Sequence, residues 1–261
     1  MSPSLVGKVA IVTGGASGLG RGIVERFVDA GADVVIADVN DNDGQELANS
    51  RGPQAHYHHV DVASADDMAR LIIDTTERLG GLDVMVNNAG ISTRMHRSFL
   101  EDDLADFSKV MAVNLLGVML GTREAARYMA THGGGAIINI ASIGGLQPGG
   151  GVMTYRASKA AVIHFSKSVA TELGPHGISV NCIAPGGIPT PILASSVAGL
   201  GLSDEAVDRF VEKTRVKMRN DRPLPREGTP EDVAEAALYL AAFTGTNGAV
   251  LAIDGGTSAS A

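Results

Sequence analysis

The sequence predicts an α/β fold in one domain, with a doubly wound, seven-stranded parallel sheet and helices on both faces. Seven short apolar runs, rich in β-branched residues, alternate with segments of helix length. Several of these runs are almost continuously apolar, as burial on both faces of a sheet requires. With 44% hydrophobic residues, the 261-residue chain can bury one large core, and no linker divides it.

The elements alternate regularly from the amino terminus. The first predicted strand, residues 8–13, leads into a glycine-rich loop, and apolar residues then follow at helical spacing over residues 21–30. Two later predicted helices, around residues 113–130 and 152–173, carry apolar residues on more than one face, which indicates burial against a second copy. The remaining strands are predicted at residues 33–37, 55–60, 82–87, 136–141, 179–183 and 249–253.

Charge and composition exclude several classes of partner. A net charge of −8 without a basic cluster gives no electrostatic footprint for nucleic acid. Residues 236–253 are uncharged, but the turn residues at 245–248 interrupt them, so no membrane partner is predicted. No signal peptide is recognisable at residues 1–8, and Cys182 is the only cysteine. We therefore expect a cytoplasmic protein.

A glycine-rich loop, TGGASGLG, follows the first strand and opens the first helix at Thr13–Gly20. The unpaired N–H groups at a helix amino terminus attract a pyrophosphate. Gly14 allows the turn, and Gly18 and Gly20 allow the backbone to approach the ligand closely. No Gly-Lys-Ser/Thr follows, which disfavours a nucleoside-triphosphate loop and favours a dinucleotide-binding Rossmann fold. The expected cofactor contacts here are Gly14, Ser17, Gly18 and Leu19.

Asp38 ends the second strand, 18 residues beyond Gly20. In a dinucleotide-binding unit an acid at this place hydrogen-bonds the adenosine ribose hydroxyls. A 2′-phosphate at about 4 Å from its carboxylate would be repelled by roughly 4 kcal/mol at an effective dielectric of about 20. The sequence therefore predicts NAD as the cofactor.

Three polar residues predict an acid–base site. Ser142 follows the fifth strand, and Lys159 lies four residues after Tyr155, so the Tyr155 and Lys159 side chains share a helix face. The pKa of a tyrosine is about 10, and an adjacent Lys159 cation would lower it towards neutrality. Arg156 is next in sequence to Tyr155 and should point away from the site, affecting only packing or subunit contacts.

From Lys8 to Gly256 the chain resembles the short-chain dehydrogenase/reductase family. The resemblance implies that Ser142 hydrogen-bonds the substrate oxygen while Tyr155 removes the alcohol proton. It also implies that Lys159 binds the nicotinamide ribose and that Asn114 holds a water linking Lys159 to solvent. The motifs that carry it are TGxxxGxG at 13–20, Asp61-Val62, NNAG at 87–90, Asn114, Ser142, YxxxK at 155–159 and PGGIPT at 185–190.

Further roles follow from the resemblance alone. Asp61 and Val62 would contact the adenine, and Asn88 and Gly90 would lie against the adenosine ribose. The nicotinamide carboxamide would be held by Ile188 and Thr190. The family also implies a homo-oligomer, a tetramer in preference to a dimer.

The substrate should lie among the loops at residues 91–99, 143–153 and 191–230. The last contains apolar residues that could form a lid, so we expect a hydrophobic secondary alcohol or its ketone, such as a steroid or terpenoid. One alternative is a ketoreductase for carrier-bound 3-oxoacyl groups, which usually favours NADPH. Another is a noncatalytic NAD-binding module. The lid residues are Ile192, Leu193, Val197, Leu200 and Leu202.

Three histidines and the cysteine are not assigned a chemical role. His56, His58 and His59 lie on one strand without a carboxylate or cysteine at ligand spacing, so no metal is expected. Cys182 lies in an apolar strand and is interpreted as a small buried hydrophobe.

Overall fold

A computed structural model describes residues 3–192, 196, 203–243 and 245–260. Within these residues seven strands alternate with helices, as the apolar runs predict. The strands are β1 (Val9–Thr13), β2 (Asp33–Asp38), β3 (Ala55–His59), β4 (Val84–Asn87), β5 (Gly135–Ile140), β6 (Ile178–Pro185) and β7 (Val250–Ile253). The α-helices are α1 (Gly18–Asp29), α2 (Asp41–Arg51), α3 (Ala65–Leu79), α4 (Phe107–Met111), α5 (Gly117–Met129), α6 (Met153–Leu173), α7 (Asp204–Asn220) and α8 (Pro230–Ala242).

All seven strands run parallel in the order β3-β2-β1-β4-β5-β6-β7. The order reverses between β1 and β4, where Ala10 pairs with Val84 in register. In open parallel sheets ligands bind beside the carboxyl ends of the strands at such a reversal. The topology therefore places the end of β1, and the glycine-rich loop that follows it, at the expected binding edge.

Helices cover both faces of the sheet. On one face Val12 of β1 packs in a buried cluster with Ile23 of α1 and Val233 of α8. On the other, the neighbouring Ile11 packs with a second cluster that contains Leu71 of α3 and Leu120 of α5. Successive residues of one strand are thus buried on opposite faces, which explains the continuous apolar runs and confirms the doubly wound sheet.

The sequence predictions and the structure differ in one helix. The helix predicted over residues 113–130 begins earlier, at α4, and continues through a π-helical turn, Ala112–Leu116, into α5. Such turns are often found at functional sites. The uncharged stretch after residue 236 forms the end of α8, a turn and β7. No helix in the described ranges is long and apolar enough to cross a membrane.

The segment predicted as a lid is described in part. Ile192 and helix α7 belong to the described residues. Leu193, Val197, Leu200 and Leu202 lie outside them, so the lid stays a prediction.

Candidate active site

A cavity of about 550 Å³ opens at the carboxyl ends of β1, β2, β4 and β5. Of the residues predicted to contact the cofactor, Ile188 alone is not in its wall, because its side chain is buried in the core cluster beside α1 and α8. The predicted residues that line the cavity are Gly14, Ser17, Gly18, Leu19, Asp38, Asp61, Val62, Asn88, Gly90, Tyr155, Lys159 and Thr190.

The glycine-rich loop has no space for side chains at two positions. Gly14 has a φ of +62°, which favours glycine, and its N–H donates to the Ala37 carbonyl at 2.8 Å. A Cβ on Gly20 would lie 2.0 Å from the Gly14 carbonyl oxygen and 2.5 Å from Nδ2 of Asn88. Asn88 Nδ2 itself donates to the carbonyls of Thr13 and Gly14 at 2.9 and 3.0 Å. The loop therefore presents bare backbone at the start of α1.

The Thr13 side chain holds this loop in place, a role that the sequence analysis did not assign to it. Its Oγ1 accepts hydrogen bonds from the N–H groups of Asn88 and Ala89 at 3.0 and 3.1 Å. The same hydroxyl donates to the Val86 carbonyl at 3.3 Å. Thr13 thus joins the loop after β4 to the loop after β1, and a buried polar residue closing an apolar strand is the signal that would have revealed it.

The carboxylate of Asp38 is fixed by backbone donors on both sides. Its Oδ2 accepts from the Ala16 N–H and its Oδ1 from the Asn40 N–H, each at 3.0 Å. The Tyr57 hydroxyl donates to the Asp38 carbonyl at 2.9 Å and to the Asp41 carboxylate at 2.6 Å. Asp38 therefore stands in the cavity wall with a set orientation, between the glycine-rich loop and the start of α2.

Tyr155, Ser142 and Lys159 meet at the other end of the cavity. The Ser142 hydroxyl lies close enough to the Tyr155 phenol to lower its pKa. Lys159 Nζ lies 5.8 Å from the centre of the Tyr155 ring and donates to the Ile140 carbonyl at 2.9 Å. Ser142 Oγ accepts from the Gly144 N–H at 3.0 Å, because the chain turns into a short 3-10 helix after β5. The structure thus brings together the three residues that the sequence spacing singled out.

Burial dominates the electrostatics of this group. It raises the pKa of Tyr155 above the ordinary value for a tyrosine, against the Ser142 hydroxyl and the Arg156 charge, which lower it. Burial also lowers the pKa of Lys159 to about 8. The prediction that Lys159 lowers the Tyr155 pKa is wrong for this structure, since the ammonium lies beside the ring, is stripped of water and donates to Ile140.

The residues of this site lie almost entirely within a match to a known protein family. A family profile described as "Enoyl-(Acyl carrier protein) reductase" matches residues 14–258, from the glycine-rich loop to beyond β7. The chain belongs to the short-chain dehydrogenase/reductase family. Members of this family of oxidoreductases bind a nicotinamide cofactor. Of the site residues described in this subsection, only Thr13 lies outside the matched range.

Two curated plant proteins illustrate the similarity within the short-chain dehydrogenase/reductase family. The chain is 42% identical to "Momilactone A synthase" of Oryza sativa subsp. japonica, over 97% of this chain and 91% of the relative. It is 39% identical to "(+)-borneol dehydrogenase 2" of Salvia officinalis, over 97% of this chain and 89% of the relative. These spans include the cavity and its polar residues, so the similarity concerns the whole fold.

A solved short-chain dehydrogenase/reductase structure has nearly the same backbone. It is a 3-ketoacyl-(acyl-carrier-protein) reductase from Brucella melitensis in complex with NADH, with a TM-score of 0.87 and 31% identity. The match covers 98% of this chain and all of that one.

Asn114 lies in the π-helical turn and joins the loop after β4 to α6. Its Nδ2 donates to the Ile91 carbonyl at 2.9 Å and to Ser158 Oγ at 3.0 Å, and its Oδ1 accepts from the Ile91 N–H at 2.8 Å. The Ser158 hydroxyl donates in turn to the Tyr155 carbonyl at 2.7 Å. The sequence analysis did not select Ser158. The proton path through a water at Asn114 stays a prediction.

The histidines lie apart from this site, whereas Cys182 is buried close enough to Lys159 for each to affect the pKa of the other. His58 pairs with Asp74 at 2.9 Å and His59 with Asp41 at 2.7 Å. Within the described ranges no three His, Cys, Asp or Glu side chains are grouped to hold a metal. Cys182 is buried in β6, which confirms the interpretation of it as a small buried residue, and burial raises its pKa to about 11.

Proposed function

We propose that this chain is an NAD(H)-dependent oxidoreductase for hydrophobic secondary alcohols and their ketones. The observation that carries the proposal is one cavity with two chemically different ends. At one end Tyr155 lies between Ser142 and Lys159, and at the other Asp38 stands next to bare glycine backbone. The first end suits proton transfer to a carbonyl oxygen, and the second suits a dinucleotide.

The residues present fit a dinucleotide cofactor. The glycine-rich loop, which has no room for a Cβ at Gly20, leads into the amino terminus of α1, where backbone N–H groups would point at an anion. Ser17, Gly18 and Leu19 would hold the pyrophosphate, and Asp38 would accept from the ribose hydroxyls, which favours NAD. When bound, the nicotinamide supplies the hydride chemistry, as donor or as acceptor.

The protein's own groups handle the proton and the developing charge. In reduction the Ser142 hydroxyl donates a hydrogen bond to the substrate oxygen as negative charge grows there, and the Tyr155 hydroxyl gives that oxygen its proton. In oxidation the Tyr155 phenolate takes the proton from the alcohol. Lys159 would bind the nicotinamide ribose, and its Nζ, held by the Ile140 carbonyl, stays beside the Tyr155 ring throughout.

The substrate class rests on the apolar residues around the cavity. Ile91, Val113 and Ile192 contribute to its wall. Borneol, the alcohol named in one relative, is an apolar secondary alcohol of the class that such a wall would accept. A 3-oxoacyl-carrier ketoreductase is the second candidate. The similar structure from Brucella melitensis, with a TM-score of 0.87, is a reductase of this kind and was solved in complex with NADH.

A substrate panel tests the proposal and separates the candidates. The purified protein would be assayed by NADH absorbance with borneol, a 3β-hydroxysteroid, small polyols and a 3-oxoacyl thioester. We expect turnover with the apolar alcohols. Turnover of the thioester alone would support the ketoreductase, and tight NAD binding without turnover on the whole panel would support a noncatalytic NAD-binding module.

We further propose that the protein is a homo-oligomer, a tetramer in preference to a dimer. Leu116 and Met119, at the π-helical turn and on α5, are more than two-fifths exposed although both are large and apolar. Apolar side chains grouped on a helix favour association with a second copy. Light scattering coupled to gel filtration would give the mass, and a monomer at micromolar concentration would contradict the proposal.

Replacing Gly20 with alanine should weaken NAD binding by at least about ten-fold, since the added Cβ would meet the Gly14 carbonyl at 2.0 Å. The Gly14 carbonyl is backbone of the loop, so the loop itself must shift. Calorimetric titration with NAD measures the effect. Gly81→Ala is the matched control, because the nearest atom to its Cβ is 3.9 Å away and its φ is ordinary, and it should bind NAD like the unmodified protein. Equal affinities for both variants would contradict the proposed role of the loop.

Oxidation and reduction should have opposite pH dependences. Burial raises the Tyr155 pKa, so the neutral phenol, which donates a proton, persists at neutral pH, and the phenolate needed for oxidation forms only as pH rises. We expect kcat/KM for alcohol oxidation to increase with pH throughout the alkaline range, while that for ketone reduction declines only where the Tyr155 phenol begins to ionise. Steady-state rates in both directions, over one set of overlapping buffers, measure this. Oxidation that is fastest below neutral pH would exclude Tyr155 as the proton acceptor.

A further inference from the structure

The loop between β5 and α6 is rich in glycine and carries Ser142 at its start. Its tip, at residues 148–150, is exposed to solvent. Glycine loses more conformational freedom on ordering than any other residue, so a loop of this composition needs contacts that fix it. One set of contacts comes from Arg156, the residue after Tyr155 on α6.

The Arg156 guanidinium is inserted under this loop. Its Nη1 donates to the Gln147 carbonyl at 3.1 Å and, at a longer 3.5 Å, to the Gly144 carbonyl. The guanidinium also lies tightly against the loop tip, because a Cβ on Gly149 would be 2.1 Å from its Nη2. The sequence analysis expected Arg156 to affect only packing or subunit contacts, whereas its contacts here are with the loop that begins at the catalytic serine.

Gly144 connects Arg156 to the proposed acid–base group. Its N–H donates to Ser142 Oγ at 3.0 Å, while its carbonyl accepts from Arg156. Ser142 in turn lies beside Tyr155, where its hydroxyl lowers the pKa of the phenol. A short path therefore runs from the guanidinium through one glycine residue to the serine hydroxyl and the phenol.

We propose that Arg156 is a positioning residue, which fixes the Ser142 loop through the Gly144 and Gln147 carbonyls and keeps a positive charge beside Tyr155. The inference rests on the proposed function, for which it names a residue outside the shared Ser-Tyr-Lys set. Arg156 acts through Ser142 and through its charge, without touching substrate. Guanidinium and ammonium groups differ here, since the planar guanidinium holds the N–H groups of Nη1 in fixed directions, whereas the N–H groups of an ammonium rotate freely.

The charges around Tyr155 give Arg156 an electrostatic role as well. Its charge lowers the pKa of Tyr155. The other groups beside Tyr155 are Ser142 from the loop and Lys159 from the same helix, and Lys109 of α4 lines the same cavity. Because burial pushes the Tyr155 pKa upward, the loss of Arg156 would leave the phenol harder to ionise.

Two substitutions at Arg156 separate its hydrogen bonds from its charge. Arg156→Met removes both, and we expect kcat/KM to fall by about ten-fold or more, with the alkaline rise in oxidation moved to higher pH. Arg156→Lys keeps the charge, so it should restore the pH profile while leaving KM for the alcohol raised. Lys167→Met, which removes an exposed charge from the same helix, is the matched control and should change neither.

Gly149→Ala tests the same contact without removing Arg156. The added Cβ would displace the guanidinium from the loop, and the Gly149 φ is one that alanine tolerates. We expect Gly149→Ala to reduce kcat/KM as Arg156→Met does, and to add little when the two changes are combined, because both remove one contact. If Gly149→Ala or Arg156→Met fails to fold, its melting temperature will show this. The kinetics of the variant that does fold then test the proposal.

A readout independent of turnover separates this proposal from the proposed function. Ionisation of Tyr155 is followed by ultraviolet absorbance as pH is raised, as the difference from Tyr155→Phe, with and without Arg156→Met. The proposal predicts a higher midpoint for Arg156→Met. Equal midpoints together with unchanged kcat/KM would overturn it, whereas a shifted midpoint in a protein without turnover on the panel would count against the proposed function alone.

Discussion

Replacing Tyr155 with phenylalanine reduces kcat by about 10³-fold or more in both directions, since loss of a general acid–base group costs about 10² to 10⁴ and no other described hydroxyl replaces it. Ser142 keeps its place, because its Oγ still accepts from Gly144. The ring that lies beside Lys159 is also retained. The change therefore removes the proton donor and leaves the shape of the cavity nearly as it was.

Single-turnover and steady-state rates with the best alcohol of the panel measure this effect, and a calorimetric titration with NAD shows that binding persists. Tyr239→Phe is the matched control. Its hydroxyl contacts Thr246 on the exposed side of α8, and its removal should leave kcat unchanged. If Tyr155→Phe retained more than about a tenth of the activity, a different group would have to carry the proton.

Replacing Asp38 with asparagine and Val39 with arginine raises the ratio of kcat/KM for NADP to kcat/KM for NAD by about 10³-fold or more. The carboxylate would repel a 2′-phosphate by roughly 4 kcal/mol at about 4 Å and an effective dielectric of about 20, and asparagine removes that term. Asparagine keeps one oxygen for the backbone donors that Asp38 now serves. Val39 is 59% exposed in the cavity wall, so an arginine there gains a phosphate partner without disturbing the core.

Kinetics with both cofactors at saturating substrate measure the change. Asp41→Asn is the control for a general effect of negative charge, since Asp41 is paired with Tyr57 and His59 and does not line the cavity. It should alter the cofactor preference little. An unmodified protein that already prefers NADPH would contradict the role given to Asp38 and would favour the ketoreductase.

The fold was predictable because its signals are local. Continuous apolar runs and helical spacing depend on a few neighbouring residues, and burial on both faces imposes them on every parallel strand. The parallel arrangement of the strands followed from their alternation with helices, and the glycine-rich loop at 13–20 marked the edge where the cavity lies. Tyr155 and Lys159 came together because one helical turn separates them.

Other features depend on contacts between distant parts of the chain. The π-helical turn brings Asn114 to Ile91 and Ser158, and no residue pattern near 114 indicated that change in the helix. The buried position of Ile188 is likewise set by α1 and α8, which lie far from it in sequence. Periodicity describes a regular element, so it gives no information about where an element departs from regularity.

By itself, the sequence determined the parallel sheet, the loop that presents bare backbone, the acid at the end of β2 and the pairing of a phenol with an amine. Only the tertiary structure decided the electrostatics of that pair and the course of the Arg156 side chain. The pKa of Tyr155 is raised because the folded protein excludes water from it, and Arg156 reaches the Ser142 loop because α6 packs beneath it. Desolvation and contacts of this kind arise from the packed neighbours of a residue, which local sequence patterns do not encode.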